Sequence, residues 1–248
     1  MSTEKSDALV IRQADFSESS RVVTFFTRDF GKISCLAKGA KRQRNAFDGA
    51  LDLLAECRVV FIHKQSTGLD LLTEAQLLNR FHPIPTSLPH LYAGYYVAEL
   101  LAGLTEDRDP HPMLYDAATR TLSLLSHPIS PHVALFQFEL KLLQETGHLP
   151  DFDTCTICQS PISLGEPSRF WVSQTGLICS QCGHSEYEHT TIQSGAIAVI
   201  RKLLDGDDQA VGRLMISERQ RKDIRRILTA VISSLLGRIP KTLKLLGS

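Results

Sequence analysis

The chain has 248 residues, of which 43% are hydrophobic and 22% charged, and its 27 lysine and arginine residues balance 27 aspartate and glutamate residues. This length can form two or three domains, and the hydrophobic fraction is that of a globular protein, which excludes a disordered chain. Zero net charge argues against a polyanionic partner, but residues 1–80 carry 12 basic and 10 acidic side chains, residues 81–154 carry 3 and 9, and residues 155–248 carry 12 and 8. Basic ends beside an acidic middle allow one face of the protein to bind a polyanion while another face repels it.

The N-terminal residues lack a basic segment followed by an apolar run, and no window of about 18 uninterrupted apolar residues occurs. We therefore expect neither secretion nor a membrane span, and we predict a cytoplasmic protein. Six cysteines could form three disulfides, but four of them occur in metal-type pairs. The remaining two, Cys35 and Cys57, fall within predicted strands, where we expect them to be buried as apolar residues.

Residues 7–76 predict a β domain, because apolar or β-branched runs alternate there with turn-forming clusters. We assign strands to Ala8–Arg12, Arg21–Thr27, Lys32–Lys38, Leu54–Ile62 and Leu69–Ala75. Five short strands in about 70 residues favour a closed barrel, since closure removes exposed edges. An OB-type barrel is the preferred interpretation, and an SH3-like barrel stays open as the alternative.

Pro83 and Pro85 interrupt this pattern and indicate a domain boundary near residue 80. Apolar residues at helical spacing then predict helices over Leu88–Leu104, Met113–Leu125, Pro131–Thr146, Ser194–Leu204 and Ser217–Leu236, with Gly147 ending the third and with Ser194 and Ser217 as N-caps of the last two. The predicted fold is α+β: a five-stranded OB-type barrel (residues 1–80), a helical bundle (residues 81–150 and 191–248), and an inserted four-cysteine, zinc-ribbon-like module (residues 151–190).

Two C-x2-C pairs provide the strongest chemical signal in the sequence. Cys155 and Cys158 form one pair, Cys179 and Cys182 form the other, and 20 residues separate them. Each spacing lets one tight turn direct two sulfurs at the same ion, and four thiolates form a tetrahedral shell that suits Zn2+. Such a site has no open position for substrate, so we predict one structural zinc ion. A redox dithiol and an iron-sulfur cluster are the alternatives, and we expect the neighbouring histidines 184 and 189 not to be ligands.

Two clusters of basic residues are candidate binding surfaces. The first contains four cations in seven residues, Lys38, Lys41, Arg42 and Arg44. It follows the third predicted strand and would lie at the mouth of a barrel, where Arg21 and Lys32 could extend it. The second cluster lies at helical spacing and contains Arg219, Arg221, Lys222, Arg225 and Arg226. Each cluster could instead be an ordinary solvated segment.

Signatures of catalysis are missing from the sequence. There is no phosphate-binding loop of the G-x-x-x-x-G-K type, no G-x-G-x-x-G, no G-x-S-x-G and no H-E-x-x-H. We therefore predict a protein that is not an enzyme and has no catalytic residue and no small-molecule substrate.

Phe25, Phe26 and Phe47 are candidates for stacking on bases if they are exposed, although core packing is the preferred interpretation for Phe25 and Phe26.

The order and spacing of several segments give a family resemblance across nearly the whole chain. They are Ala8–Arg12, Ser17–Thr27, Gly31–Ile33 with Ala37–Ala40, Gly68–Ala75, Phe136–Leu143 running to Gly147, and Leu236–Arg238 followed by Lys241–Lys244. In these segments the sequence resembles the RecO family of bacterial recombination mediators, which act in DNA repair.

This resemblance implies an N-terminal OB barrel, a helical domain and a zinc module. It also implies binding of single- and double-stranded DNA, strand annealing, and action with RecR to load RecA onto DNA coated with single-strand binding protein, in the cytoplasm and at the nucleoid. Carried onto this sequence, the DNA contacts would be Arg21, Lys32, Lys38, Lys41 and Arg42, and Arg44 is added on charge alone. The basic helix from Arg219 to Arg226 is our candidate contact for the acidic tail of single-strand binding protein. The alternatives are a zinc-stabilised protein–protein scaffold without direct DNA binding and an unrecognised hydrolase.

Overall fold

The computed structural model describes residues 2–42, 47, 49–63, 68–83, 87–128, 130–165, 168–171, 174–183, 189–206 and 214–246. These residues form two compact units, one of residues 1–128 and 245–247 and one of residues 129–244. The boundary that we predict near residue 80 therefore does not coincide with the division by compactness. It stays a prediction about domains.

Five strands form the core of the first unit: β1 (Thr3–Asp15), β2 (Arg21–Thr27), β3 (Gly31–Ala37), β4 (Glu56–Ile62) and β5 (Asp70–Asn79). Their order is β1-β2-β3-β5-β4, and β4 pairs back with β1, so the sheet closes into a barrel. The β3–β5 pairing is parallel and short, whereas the other pairings are antiparallel. The five strands predicted from the sequence all form, although β1 and β5 are longer than expected.

Strand alternation determines which side chains fill the barrel. In β4, Cys57, Val59 and Phe61 are fully buried, and the residues between them are only half buried. Cys35 of β3 is also fully buried, which confirms that both cysteines are core residues. Burial raises the pKa of Cys57 to about 12, so this thiol is unreactive at neutral pH.

Two helices complete the first unit, α1 (Leu88–Leu104) and α2 (Pro112–Leu125). A proline at the start of each helix has the fixed φ of the first turn and lacks an N–H group that would otherwise need a partner. Helix α1 packs on β1 and α2, and α2 also contacts β2. Phe26 is fully buried outside the barrel interior, with its ring centroid 6.5 Å from that of Tyr115 on α2.

The second unit combines a small sheet with three helices. Its helices are α3 (Pro131–Glu145), α4 (Ser194–Leu204) and α5 (Glu218–Leu236), and strands β6 (Ser168–Trp171), β7 (Gly176–Ile178) and β8 (His189–Ile192) pair in the order β7-β6-β8. A short 3-10 helix spans Thr242–Leu245. Helix α3 packs against α4 and α5, which also contact each other. In the parts of the chain that the structure describes, no helix has the length and apolar character needed to cross a membrane.

The helix ends test three sequence-based expectations. Ser217 caps α5 through a capping box with Gln220, as expected. Gly147 follows α3 with a φ of +73°, a conformation that costs glycine little, so it ends the helix as predicted. The prediction for Ser194 is wrong: the cap of α4 is Gln193, which has no side-chain capping bond, and its N–H donates instead to Asp223 on α5 at 3.1 Å.

Candidate metal centre and nucleic-acid interface

The structure brings the four paired cysteines into one cluster. The sulfurs of Cys155, Cys158, Cys179 and Cys182 all lie within 4.8 Å of one another. The Cys158 and Cys179 sulfurs are 3.8 Å apart, which matches the edge of about 3.8 Å expected for a tetrahedron with metal–sulfur bonds of about 2.3 Å. These four residues could therefore hold one metal ion between them.

Local backbone hydrogen bonds explain how the cysteine turns form. The N–H of Cys155 donates to the Ser160 carbonyl at 2.9 Å, and the Cys155 carbonyl accepts from the Gln159 N–H at 2.9 Å. The N–H of Cys179, which directly follows β7, points at the Cys155 sulfur at 3.4 Å. The Thr156 N–H also donates to the Leu177 carbonyl at 2.8 Å, which joins the first turn to β7.

Neighbouring groups shift the pKa values of two thiols in this cluster in opposite directions. The hydroxyl and then the backbone N–H of Ser160 stabilise the Cys158 thiolate and lower its pKa to about 6. The sulfurs of Cys158 and Cys179 raise the pKa of Cys182 to about 12, because they accept hydrogen bonds from its thiol. A cation among the sulfurs would favour the thiolate form of all four, so the donor set fits a soft divalent metal.

An arginine on α4 holds this module against that helix. Arg201 on α4 forms an ion pair with Asp153 at 2.8 Å and donates to the Phe152 carbonyl at 2.6 Å. It also donates to the Ile162 carbonyl at 3.4 Å. Residues on both sides of the first cysteine pair are thus held against α4.

The first basic cluster lies where two loops meet at one end of the barrel. Arg21 at the start of β2 pairs in register with Ala37, and the exposed Lys38 directly follows Ala37. The backbone N–H of Lys41 donates to the Ser19 carbonyl at 3.1 Å, which ties the β3–β4 loop to the β1–β2 loop. We call Arg21, Lys38, Lys41 and Arg42 the rim cluster.

One carboxylate partly neutralises the rim cluster. Asp15 accepts from Lys41 at 3.0 Å and from Arg21 at 3.3 Å. The hydrogen bond from Lys41 is the main reason why the pKa of Asp15 is lowered from its usual value. Lys38, by contrast, forms no hydrogen bond or ion pair with any residue that the structure describes.

The structure shows the contacts of Lys32, another predicted DNA contact, but does not describe Arg44. The Lys32 ammonium donates to the carbonyls of Ala102 at 3.1 Å and Thr105 at 2.6 Å, at the C-terminal end of α1, and only 16% of the side chain is exposed. The neighbouring Gly31 lets the backbone of Asp109 lie against β3, because a Cβ at position 31 would overlap the Asp109 carbonyl. Lys32 therefore holds α1 on the barrel. Arg44 lies outside the described residues.

Phe25, Phe26 and Phe47 are buried, with exposures of 0%, 0% and 5%. Core packing is thus the correct interpretation for Phe25 and Phe26, and none of the three rings is available to stack on a base.

The second basic cluster divides into buried and exposed members. Arg225 on α5 pairs with the fully buried Glu139 on α3 at 2.5 Å, and its guanidinium lies 4.7 Å from the centre of the Phe136 ring. Arg221 pairs with Glu218 on its own helix at 2.7 Å, and 16% of its side chain is exposed. These two arginines stabilise the second unit.

Arg219, Lys222 and Arg226 are exposed on α5. The side chain of Lys222 is 67% exposed, and that of Arg226 is 52% exposed although it pairs with Asp223. These three residues form the exposed part of the predicted partner surface.

Sequence reasoning missed two exposed residues on β1 and in the loop that follows it. Arg12 on β1 is exposed and pairs in register with Thr24, whose hydroxyl is 3.1 Å from that of Ser34. These three residues form a polar outer face on β1, β2 and β3. Phe16, in the β1–β2 loop, has 60% of its surface exposed. The position of Arg12 directly after the apolar run Ala8–Ile11 was the signal for this residue, whereas the exposure of Phe16 depends on how the loop folds.

Comparisons with known proteins match one family along the chain. The family model described as Recombination protein O N terminal matches residues 1–81, and the model described as Recombination protein O C terminal matches residues 85–244. A protein named DNA repair protein RecO from Rhodopirellula baltica is 35% identical, covering 94% of this chain and 95% of that relative. Proteins of the same name from Syntrophus aciditrophicus and Anaeromyxobacter dehalogenans (strain 2CP-1) are 28% and 31% identical, covering 98% and 96% of this chain and 95% and 93% of those relatives.

Proposed function

The chain belongs to the recombination protein O family, and from this premise we propose that it is a non-enzymatic mediator that binds DNA through the rim cluster. Its relatives are named DNA repair proteins, so membership places the chain in DNA repair and recombination. The finer proposal includes binding of single- and double-stranded DNA, strand annealing, and loading of RecA with RecR onto DNA coated with single-strand binding protein. Action in the cytoplasm and at the nucleoid is part of this proposal.

One observation carries the DNA-binding proposal: three exposed cations of the β3–β4 loop lie at one end of a closed barrel, where a hydrogen bond ties this loop to the β1–β2 loop. A polyanionic strand crossing this end could contact Lys38, Lys41 and Arg42 together, and the exposed Arg12 adds a cation on the outer face of β1. The strand order and the closure of the sheet support classification of residues 1–80 as an OB-type barrel, a fold that holds single strands in a positively charged groove.

Binding of a short single strand at several salt concentrations tests this function. Four to six phosphate contacts should give a slope of about −3 to −4 in a plot of log affinity against log salt concentration. A protein–protein scaffold without direct DNA binding would show no such salt-dependent binding of the strand. Turnover of nucleic acid or ATP that survives purification would favour a hydrolase and contradict the mediator.

For the cysteine cluster we propose one structural zinc ion, within a module of residues 151–190. The proposal is supported by the four thiol donors, by the 3.8 Å separation of two sulfurs, and by the absence of an open ligand position in a four-thiolate shell. Metal analysis of the purified protein should find about one zinc per chain. A coloured protein that contains iron and no zinc would contradict it.

For the helices of residues 81–150 and 191–248 we propose a partner surface. The acidic tail of single-strand binding protein would contact the exposed cations of α5, Arg219, Lys222 and Arg226. Arg221 and Arg225 leave the proposed surface, because only 16% and 18% of their side chains are exposed and each pairs with a glutamate. Neutralising the three exposed cations should weaken binding of an acidic tail peptide and leave binding of a short oligonucleotide unchanged.

A further inference from the structure

One aromatic ring beside the rim cluster is exposed where most phenylalanines of the barrel are buried. Phe16 has 60% of its surface exposed, whereas Phe25 and Phe61 are completely buried. A single exposed apolar residue is common on protein surfaces and has no meaning by itself. At Phe16, two further observations concern how the ring is held and what surrounds it.

The loop that carries Phe16 is held by hydrogen bonds. The N–H groups of Phe16 and Ser17 both donate to the Ser20 carbonyl, at 3.1 and 3.2 Å, and the Ser20 N–H donates back to the Ser17 hydroxyl at 3.2 Å. This backbone is therefore already ordered before a ligand binds. A ring on an ordered loop loses little conformational entropy on binding.

Cations contact both neighbours of Phe16 in the chain. The Lys41 ammonium lies 3.0 Å from the Asp15 carboxylate and 3.3 Å from the Ser17 carbonyl. Arg21 contacts Asp15 from the other strand of the hairpin. A phosphate backbone bound by these cations would bring its bases close to the residue between Asp15 and Ser17.

We propose that Phe16 stacks on an unpaired base and gives the rim cluster a preference for single-stranded over double-stranded DNA. This inference rests on the proposed DNA binding. Every base has an aromatic face, so stacking needs no particular sequence. In a duplex the base faces are already stacked on one another and are not available to the ring. The phosphate contacts then act on both forms of DNA, while Phe16 acts on single strands alone.

Substituting Phe16→Ala in the full-length protein tests the proposal. Stacking of one base is worth about 1–3 kcal/mol, so affinity for a short single strand should fall by about 5- to 150-fold. Affinity for a duplex and the salt slope for the single strand should not change, because no cation is lost. Met113→Ala, which removes another exposed apolar side chain of the same unit, is the matched control and should change neither affinity.

A fluorescence measurement gives an independent test. The chain contains one tryptophan, Trp171, so the wild-type protein provides the baseline emission. Phe16→Trp adds an indole at the proposed stacking position, and a single-stranded oligonucleotide should quench the added emission much more than a duplex does.

Two results would overturn the inference. One is unchanged single-strand affinity in Phe16→Ala together with weaker binding when Lys38 is neutralised, a combination that leaves the proposed DNA binding intact. The other is an equal loss of affinity for single strands and duplexes. Unchanged binding in both variants would instead contradict the proposed DNA surface, and this inference with it.

Discussion

Breaking the buried pair of Glu139 and Arg225 tests whether the central part of α5 stabilises the fold. Glu139 is fully buried, and Arg225 pairs with it at 2.5 Å with 18% of its side chain exposed. Arg225→Met removes the cation but leaves the carboxylate in the core. An uncompensated buried charge of this kind costs about 3–5 kcal/mol of folding free energy.

Urea denaturation followed by tryptophan fluorescence measures this loss directly. The single tryptophan, Trp171, belongs to β6 of the second unit, the unit that contains the pair. With a dependence on urea of about 1–3 kcal/mol per molar, the midpoint for Arg225→Met should fall by at least about 1 M. Arg219→Met removes an exposed cation from the same helix and should change stability by less than about 0.5 kcal/mol.

The double variant Glu139→Leu/Arg225→Met separates an unpaired charge from loss of packing. Replacing both partners with apolar residues removes the buried charge, so most of the lost stability should return. A structural role for the pair is refuted if Arg225→Met is no less stable than Arg219→Met, or if the double variant is as unstable as the single one.

Three further predictions concern other charged or metal-binding groups. Asp15→Asn should tighten oligonucleotide binding by about two- to fivefold at low salt, since it releases cations of the rim cluster. Because Lys41 lowers the pKa of Asp15, the carboxylate is charged at every pH from 5 to 8, and the gain in affinity should be constant over that range. A loss of affinity would contradict DNA binding by the rim cluster. Cys158→Ser should lower the zinc content and shift the Trp171 emission as its module loosens, and full zinc with unchanged emission would contradict the metal site. Lys32→Met should cost about 1.5–3 kcal/mol of stability and leave the salt slope of DNA binding unchanged, and a shallower slope would show that Lys32 contacts DNA.

The sequence predicted the parts of the fold that depend on local patterns. Apolar or β-branched runs between turn-forming clusters located the five strands, the C-x2-C spacing identified the residues of the cysteine cluster, and helical spacing gave α1 its correct bounds. These features depend on neighbours a few residues away. A single sequence contains that information directly.

The partners of individual charges could not be predicted in the same way. Lys32 was predicted to extend the first basic cluster, but its ammonium donates to carbonyls about 70 residues away, including that of Ala102. Arg225 belongs to a basic helix, but its partner Glu139 precedes it by 86 residues. Charge clusters along a chain therefore overestimate a binding surface, because tertiary structure turns some of their members inward.

Loss of two rim-cluster charges tests whether this cluster binds DNA. Lys38→Gln/Lys41→Gln removes two exposed cations from the barrel end, and the control Lys5→Gln/Lys202→Gln removes two exposed cations elsewhere. The measurement is the affinity for a short single strand as a function of salt concentration. If the rim cluster binds DNA, the rim variant alone should bind more weakly, with a slope shallower by about 1.4. Equal affinities and slopes in the two variants would contradict binding of DNA by the rim cluster.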